Sequence, residues 1–202
     1  MAPSNSSTPK SSRSTWSVNS KSTTVLIFAV GLIATLSEKM ATAQTPKAVN
    51  SSIYDFKISA LDGKVIDFSQ YKGKHLLIVN TASKCGYTPQ YKDLQKLHEL
   101  YKERVVVLGF PANNFLWQEP GTNTEIAEFC ERNYGVKFQM FEKISVKGRS
   151  QHPLYQWLQS KTDHKPDWNF AKYLVSADGS KVIFFKSSVQ PLDQQIIDEV
   201  NR

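Results

Sequence analysis

An α/β fold is predicted for this 202-residue chain by three observations. Leu76 to Val79 and Val105 to Phe110 are short, wholly apolar runs, which read as strands covered on both faces. Between them Leu94, Leu97, Leu100 and Tyr101 recur at helical spacing, ending near Glu103. Turn signals also divide alternating apolar–polar segments on either side of this strand–helix–strand unit.

The elements follow in order. Ile53 to Ile58 and Val65 to Phe68 alternate about Asp62-Gly63, which predicts a β-hairpin. The Leu76–Val79 strand runs into a turn bearing Cys85, then Thr88-Pro89, read as an N-cap followed by proline at the first helical position. Pro111 closes the second buried strand. Thr122-x-x-Glu125 is a capping box opening a helix with Ile126 and Phe129 inward. Tyr173–Val175 and Val182–Phe185 flank Asp178-Gly179, a second hairpin, and Leu192, Ile196, Ile197 and Val200 form the stripe of a closing helix. Hairpin, β, α, β, α, hairpin, α is the thioredoxin-like plan with an added N-terminal β-hairpin.

Residues 1–43 are different material. Met1 to Thr24 is rich in Ser and Thr and free of acids, Val25 to Leu36 is almost wholly apolar, and Ala41-Thr42-Ala43 is a small-x-small pattern. The twelve-residue apolar run is well short of the ~20 residues that cross a bilayer. The segment therefore reads as a signal peptide cleaved near Ala43, giving export to a periplasm or the exterior. An uncleaved membrane anchor and an organellar transit peptide are the rival readings. Residues 44–202 are then a single domain. The net charge of +7 includes Lys10, Arg13, Lys21 and Lys39 in this leader, and no basic cluster in the remainder could track a phosphate backbone. Nucleic-acid binding is excluded on that ground.

Only Cys85 and Cys130 occur. In an exported chain an even count suggests a structural disulfide, but a core of this size folds without one, and a redox pair competes with that reading. A cysteine before a helix N-terminus sits in a positive local potential that favours the nucleophilic thiolate; the bland alternative is a small buried hydrophobe. His75, His98, His152 and His164 are scattered without ligand spacing, so neither a metal nor a cofactor is expected.

Three segments resemble the glutathione peroxidase family, in its cysteine-containing, non-selenium form. They are Asn80-Thr81-Ala82-Ser83-Lys84-Cys85-Gly86, Gly109 to Phe115 running into Gln118 to Asn123, and Trp168-Asn169-Phe170. The likeness extends from about Ile53 to the C-terminus. It implies that Cys85 is the peroxidatic residue and that Gln118, Trp168 and Asn169 complete a polar tetrad around it. Amide and indole N–H groups would stabilise a thiolate and the charge on a departing oxygen without titrating. Taken singly, Gln118 is a turn cap, Trp168 a core aromatic and Asn169 a turn residue.

The resemblance also implies a resolving thiol on the helix after Gln-Glu-Pro-Gly. Cys130 lies on that helix, although some relatives place the cysteine one residue later, where this chain has Glu131. A buried core residue is its alternative reading. Ala112, Leu116 and Gln139 stand where the family commonly has cysteine, glycine and proline, and the short Ser160–Asp167 segment resembles monomeric members. The implied function is a thiol peroxidase of hydrogen peroxide and organic or lipid hydroperoxides, reduced by a thioredoxin-like protein or by glutathione. A peroxide sensor passing oxidation to a partner needs the same thiolate, and an inactive relative bridged by Cys85–Cys130 is a further reading. A thiol–disulfide oxidoreductase is disfavoured by the missing C-x-x-C.

Overall fold

The computed structural model describes residues 52–202. The leader and its cleavage site lie outside them. The first paired strands, β1 (Lys57–Ser59) and β2 (Val65–Asp67), form the antiparallel N-terminal hairpin, with Ile58 opposite Ile66 on its inner face. There follow β3 (His75–Thr81), α1 (Gln90–Tyr101), β4 (Val105–Pro111), α2 (Asn123–Tyr134), β5 (Gln139–Met140), α3 (Pro153–Thr162), β6 (Lys172–Val175), β7 (Val182–Phe185) and α4 (Gln194–Val200).

The main sheet has the order β5-β4-β3-β6-β7. β3 pairs in parallel with β4, and β4 with β5, whereas β6 runs antiparallel to both β3 and β7. Six of the seven residues of β3 are buried, as its near-continuous apolar run requires of a strand covered on both faces. Alternate residues feed two cores. Leu76, Ile78, Leu108 and Phe110 pack under the hairpin and α3, and Leu77, Val79, Val105 and Val107 pack under α1, α2 and α4. Gly109 permits the close approach of β5, since a Cβ there would lie 2.3 Å from Met140 Sδ.

β5 escaped the sequence reading, whereas the start of α3 was legible in His152-Pro153-Leu154-Tyr155, which resembles a helix start of the family. α3 has a signal that a ten-residue window makes weak: His152 Nδ1 accepts from Leu154 N–H at 3.2 Å, Pro153 takes the first helical position, and Leu154, Tyr155, Trp157 and Leu158 turn inward. The start of α1 needs correction. Helix begins at Gln90, after a run of tight turns, and Pro89 stands at its N-cap without a side-chain cap. Thr88 caps nothing; it braces the turn before the helix instead.

Candidate active site

β3 delivers the chain to the cysteine turn. The Thr88 hydroxyl donates to Ala82 O at 2.8 Å and accepts from Cys85 N–H at 3.0 Å, while Thr88 N–H donates to Cys85 O at 3.0 Å. This threefold brace fixes Cys85 on a turn that the shallow preference of a lone strand end would leave loose. Tyr87 N–H donates to Cys85 Sγ at 3.4 Å. That backbone dipole, pointed at the sulfur, replaces the direct helix N-terminus expected from the sequence. Cys85 is 8% exposed.

The second limb is the 115–118 turn, closed by Gln118 N–H to Phe115 O at 3.2 Å. Its central residues, Leu116 and Trp117, both have left-handed backbones, with φ of 50° and 51°. Paired positive φ is the conformation of a type I′ turn, normally filled by Asn-Gly, so two bulky residues here hold local strain. Both side chains stand in solvent, 68% and 77% exposed. Lys84 N–H donates to Gln118 O at 3.0 Å, which ties the cysteine turn to this one.

The third limb is Trp168-Asn169-Phe170. Asn169 is fully buried and donates through Nδ2 to Gln118 Oε1 at 2.8 Å. The Gln118 carbonyl is thereby occupied and its NH2 makes no hydrogen bond among the described residues. Asn169 Oδ1 is buried and accepts nothing. Trp168 is half-buried, its ring 5.6 Å from that of Phe115, and it packs against the cluster that contains Cys85. Asn80 binds this limb twice: Nδ2 donates to Trp168 O at 2.9 Å, and its carbonyl accepts from Phe170 N–H at 2.6 Å. Three of the four expected tetrad residues, Gln118, Asn169 and Trp168, are thus joined to one another or through Phe115, and the turn carrying Cys85 is bonded to that of Gln118.

Cys130 is buried in the same hydrophobic cluster as Cys85. It is 2% exposed, sits inward on α2, and packs in the same core as Tyr91 on α1. Burial pushes its thiol up to about 11, opposed by the nearby Tyr91 hydroxyl and assisted by the negative charge of Glu119. The Tyr91 hydroxyl itself is buried without a hydrogen bond of full geometry. Both cysteines are free. α2 is intact around Cys130, with the Thr122–Glu125 capping box at one end and left-handed Gly135 at the other, its N–H donating to Cys130 O and Glu131 O.

Sequence reasoning missed Asn80, Thr88 and Glu119. Glu119 is 1% exposed, and its carboxylate accepts from Ser83 Oγ at 2.8 and 3.1 Å. Burial raises its pKa, against the Ser83 hydrogen bonds and Lys143, which lower it. A polar residue at the end of an apolar strand was the available signal for Asn80. For Glu119 the Gln-Glu-Pro-Gly motif marked the position but not the role, because its partner lies 36 positions away. Two open cavities flank the site: one of about 350 Å³ walled by Lys84, Gly121, Ile126 and Phe129, and one of about 370 Å³ walled by Tyr87, Trp168 and Lys186. Among the described residues no group of His, Cys, Asp and Glu is arranged to hold a metal.

A glutathione peroxidase family profile matches residues 53–159. A glutathione peroxidase of Lactococcus lactis is 45% identical over 149 residues, which cover 71% of this chain and 95% of that protein. A glutathione peroxidase-like peroxiredoxin of Schizosaccharomyces pombe is 46% identical, covering 70% and 92%. A hydroperoxy fatty acid reductase of Synechocystis is 44% identical, covering 70% and 90%. Among solved structures, that of Trgpx in apo form superposes with a TM-score of 0.59 at 36% identity, covering 75% of this chain and 97% of that one.

Proposed function

We propose, for a chain that belongs to the glutathione peroxidase family, that Cys85 is the sulfur that performs its peroxidase chemistry. The protein is a thiol peroxidase of hydroperoxides. The Cys85 thiolate attacks one oxygen of the hydroperoxide, the O–O bond breaks, and sulfur becomes the sulfenic acid. The other oxygen departs as alkoxide or hydroxide and takes a proton to leave as alcohol or water. Gln118 NH2 and the Trp168 indole N–H are the donors for the charge that develops there, and neither titrates. The observation that supports this reading best is the Asn169–Gln118 hydrogen bond, because it commits the Gln118 carbonyl and leaves the NH2 for the reacting atoms.

The sulfenic acid is returned to thiol by a thiol reductant. We assign a thioredoxin-like protein to that role ahead of glutathione. A relative carrying the peroxiredoxin name supports this choice. Organic and lipid hydroperoxides are included as substrates on the strength of Leu116 and Trp117, an exposed apolar lip beside Gln118. The short Ser160–Asp167 segment supports a monomer, and the leader supports export after cleavage near Ala43. Cys130 is a buried thiol on an intact α2, in the same cluster as Cys85, and partial unwinding of α2 is the step we assign to its attack on Cys85.

Intact mass after one equivalent of peroxide, on the natural chain and on Cys130→Ser, tests the reading. A loss of about 2 mass units in the natural chain and a gain of about 16 in the variant identifies Cys130 as the resolving thiol. A gain of about 16 in both assigns resolution to an external thiol. No change in either, or an unaltered response in Cys85→Ser, overturns Cys85 as the reacting sulfur. The same spectra report whether the chain from the native host begins after Ala43.

A further inference from the structure

Lys172 is fully buried and takes no part in the chemistry above. It opens β6 opposite Val79, so its side chain enters the face of the sheet that carries α1 rather than solvent. Among the described residues no carboxylate pairs with it, and its ammonium makes one hydrogen bond, to Phe170 O at 2.7 Å. Desolvation alone drives its pKa down, to about 7, with no charged neighbour contributing. An amine buried under these conditions is unfavourable unless its one contact matters.

That contact falls on the limb that carries Trp168 and Asn169. Phe170 is fully buried and adopts a left-handed backbone, φ 65°, a conformation strained for a bulky side chain. Three bonds hold the strained turn. Asn80 Nδ2 fixes Trp168 O, Asn80 O fixes Phe170 N–H, and Lys172 Nζ fixes Phe170 O. Asn169 lies between the first and the last of these, and its amide is what orients Gln118. Without Lys172 the Phe170 carbonyl would be a buried acceptor without a donor, free to rotate toward the commoner right-handed conformations.

We propose that Lys172 is a positioning residue of the peroxidase: by bonding the Phe170 carbonyl it locks the left-handed turn that holds Asn169 against Gln118. It rests on the assignment of Gln118 and Asn169 to the site of Cys85 oxidation. Lys172 touches no reacting atom. Its effect is confined to the step in which the Gln118 and Trp168 donors act, the oxidation of Cys85, and does not extend to reduction of the sulfenic acid by an external thiol.

The two half-reactions are measured separately by stopped flow on the natural chain, Lys172→Met, Lys172→Gln and Cys85→Ser. Met preserves the side chain's length and apolar stem and removes the donor, and Gln keeps a shorter, neutral one. The expected result is that Met slows oxidation by hydrogen peroxide about 10–100-fold and Gln about 3–10-fold, with thiol reduction unchanged in both. The melting temperature of the Met variant is expected at or above that of the natural chain, since an unpaired buried cation has been removed. Oxidation at the natural rate in the Met variant overturns the proposal, and so does slowing of both half-reactions by the same factor. If Met gives no soluble protein, Gln decides alone: slowing of oxidation only supports it, and slowing of neither or of both overturns it. Loss of oxidation in the natural chain, or its persistence in Cys85→Ser, instead overturns the peroxidase assignment of Cys85, a result distinct from any Lys172 outcome.

Discussion

Leu116 and Trp117 each adopt a backbone that a glycine would adopt without strain, and each leaves most of its side chain in water. A left-handed non-glycine residue is disfavoured by roughly 1–2 kcal/mol, so the pair is retained against a local gradient. Replacing both by glycine is therefore expected to leave stability unchanged or slightly raised. The same double variant should lose about 3–10-fold in rate toward a fatty-acid hydroperoxide while keeping its rate with hydrogen peroxide, which gains nothing from an apolar contact. Equal loss on both substrates would show that the turn serves Gln118 rather than the substrate. Single residues were the least legible level of this protein. Cys85, Gln118, Trp168 and Asn169 could be marked from motif, but Asn80, Thr88 and Lys172 act through bonds to carbonyls, and a backbone acceptor leaves no trace in a sequence.

Elements were more legible, because periodicity and caps are local. The capping box of α2 was written in Thr122-x-x-Glu125. α1 shows where local rules stop: Thr88-Pro89 is a sound helix start on paper, yet the threonine is drawn into the Cys85 turn, where it closes three bonds instead of one. α2 is also the element on which the fate of Cys130 depends. Thr122→Ala removes the hydroxyl half of the capping box, leaving the residue-122 N–H bonded to Glu125, and should lower stability by about 1 kcal/mol, or some 2–4 °C in melting temperature for a domain of this size. The variant should also label Cys130 faster with iodoacetamide, with Cys85 labelling unaltered. An unchanged Cys130 rate would mean that the thiol becomes accessible only when the whole domain opens.

Over the whole molecule, the two-faced sheet sets a pH dependence that no single element has. Lys172 has a folded pKa of about 7 and an ordinary value of 10.5, so between these the unfolded chain binds more protons and stability rises with pH. The penalty for charging the buried amine is complete below about pH 7 and disappears toward pH 10.5, on the order of 3–5 kcal/mol at its fullest. Cys130 opposes it at the alkaline end: its folded thiol lies at about 11 against an ordinary 9.0, so stability falls as pH rises through that interval. Urea midpoints of the natural chain and Lys172→Met should therefore differ most at or below pH 7 and converge toward pH 10. A constant difference across that range would mean that Lys172 stays charged, or neutral, in both states. The placement of the tryptophans has an optical consequence. Trp157 is sealed in the core under the hairpin, Trp117 is in water, and Trp168 packs at the boundary of the cluster holding Cys85. These three indoles, among the described residues, sit in three solvents and emit at separable wavelengths, and of them Trp168 packs against the cluster holding the sulfur that changes oxidation state. The domain of residues 52–202 thus carries its own fluorescent indicator of turnover, and Trp117→Phe would strip away the exposed background of its three described indoles without an added dye.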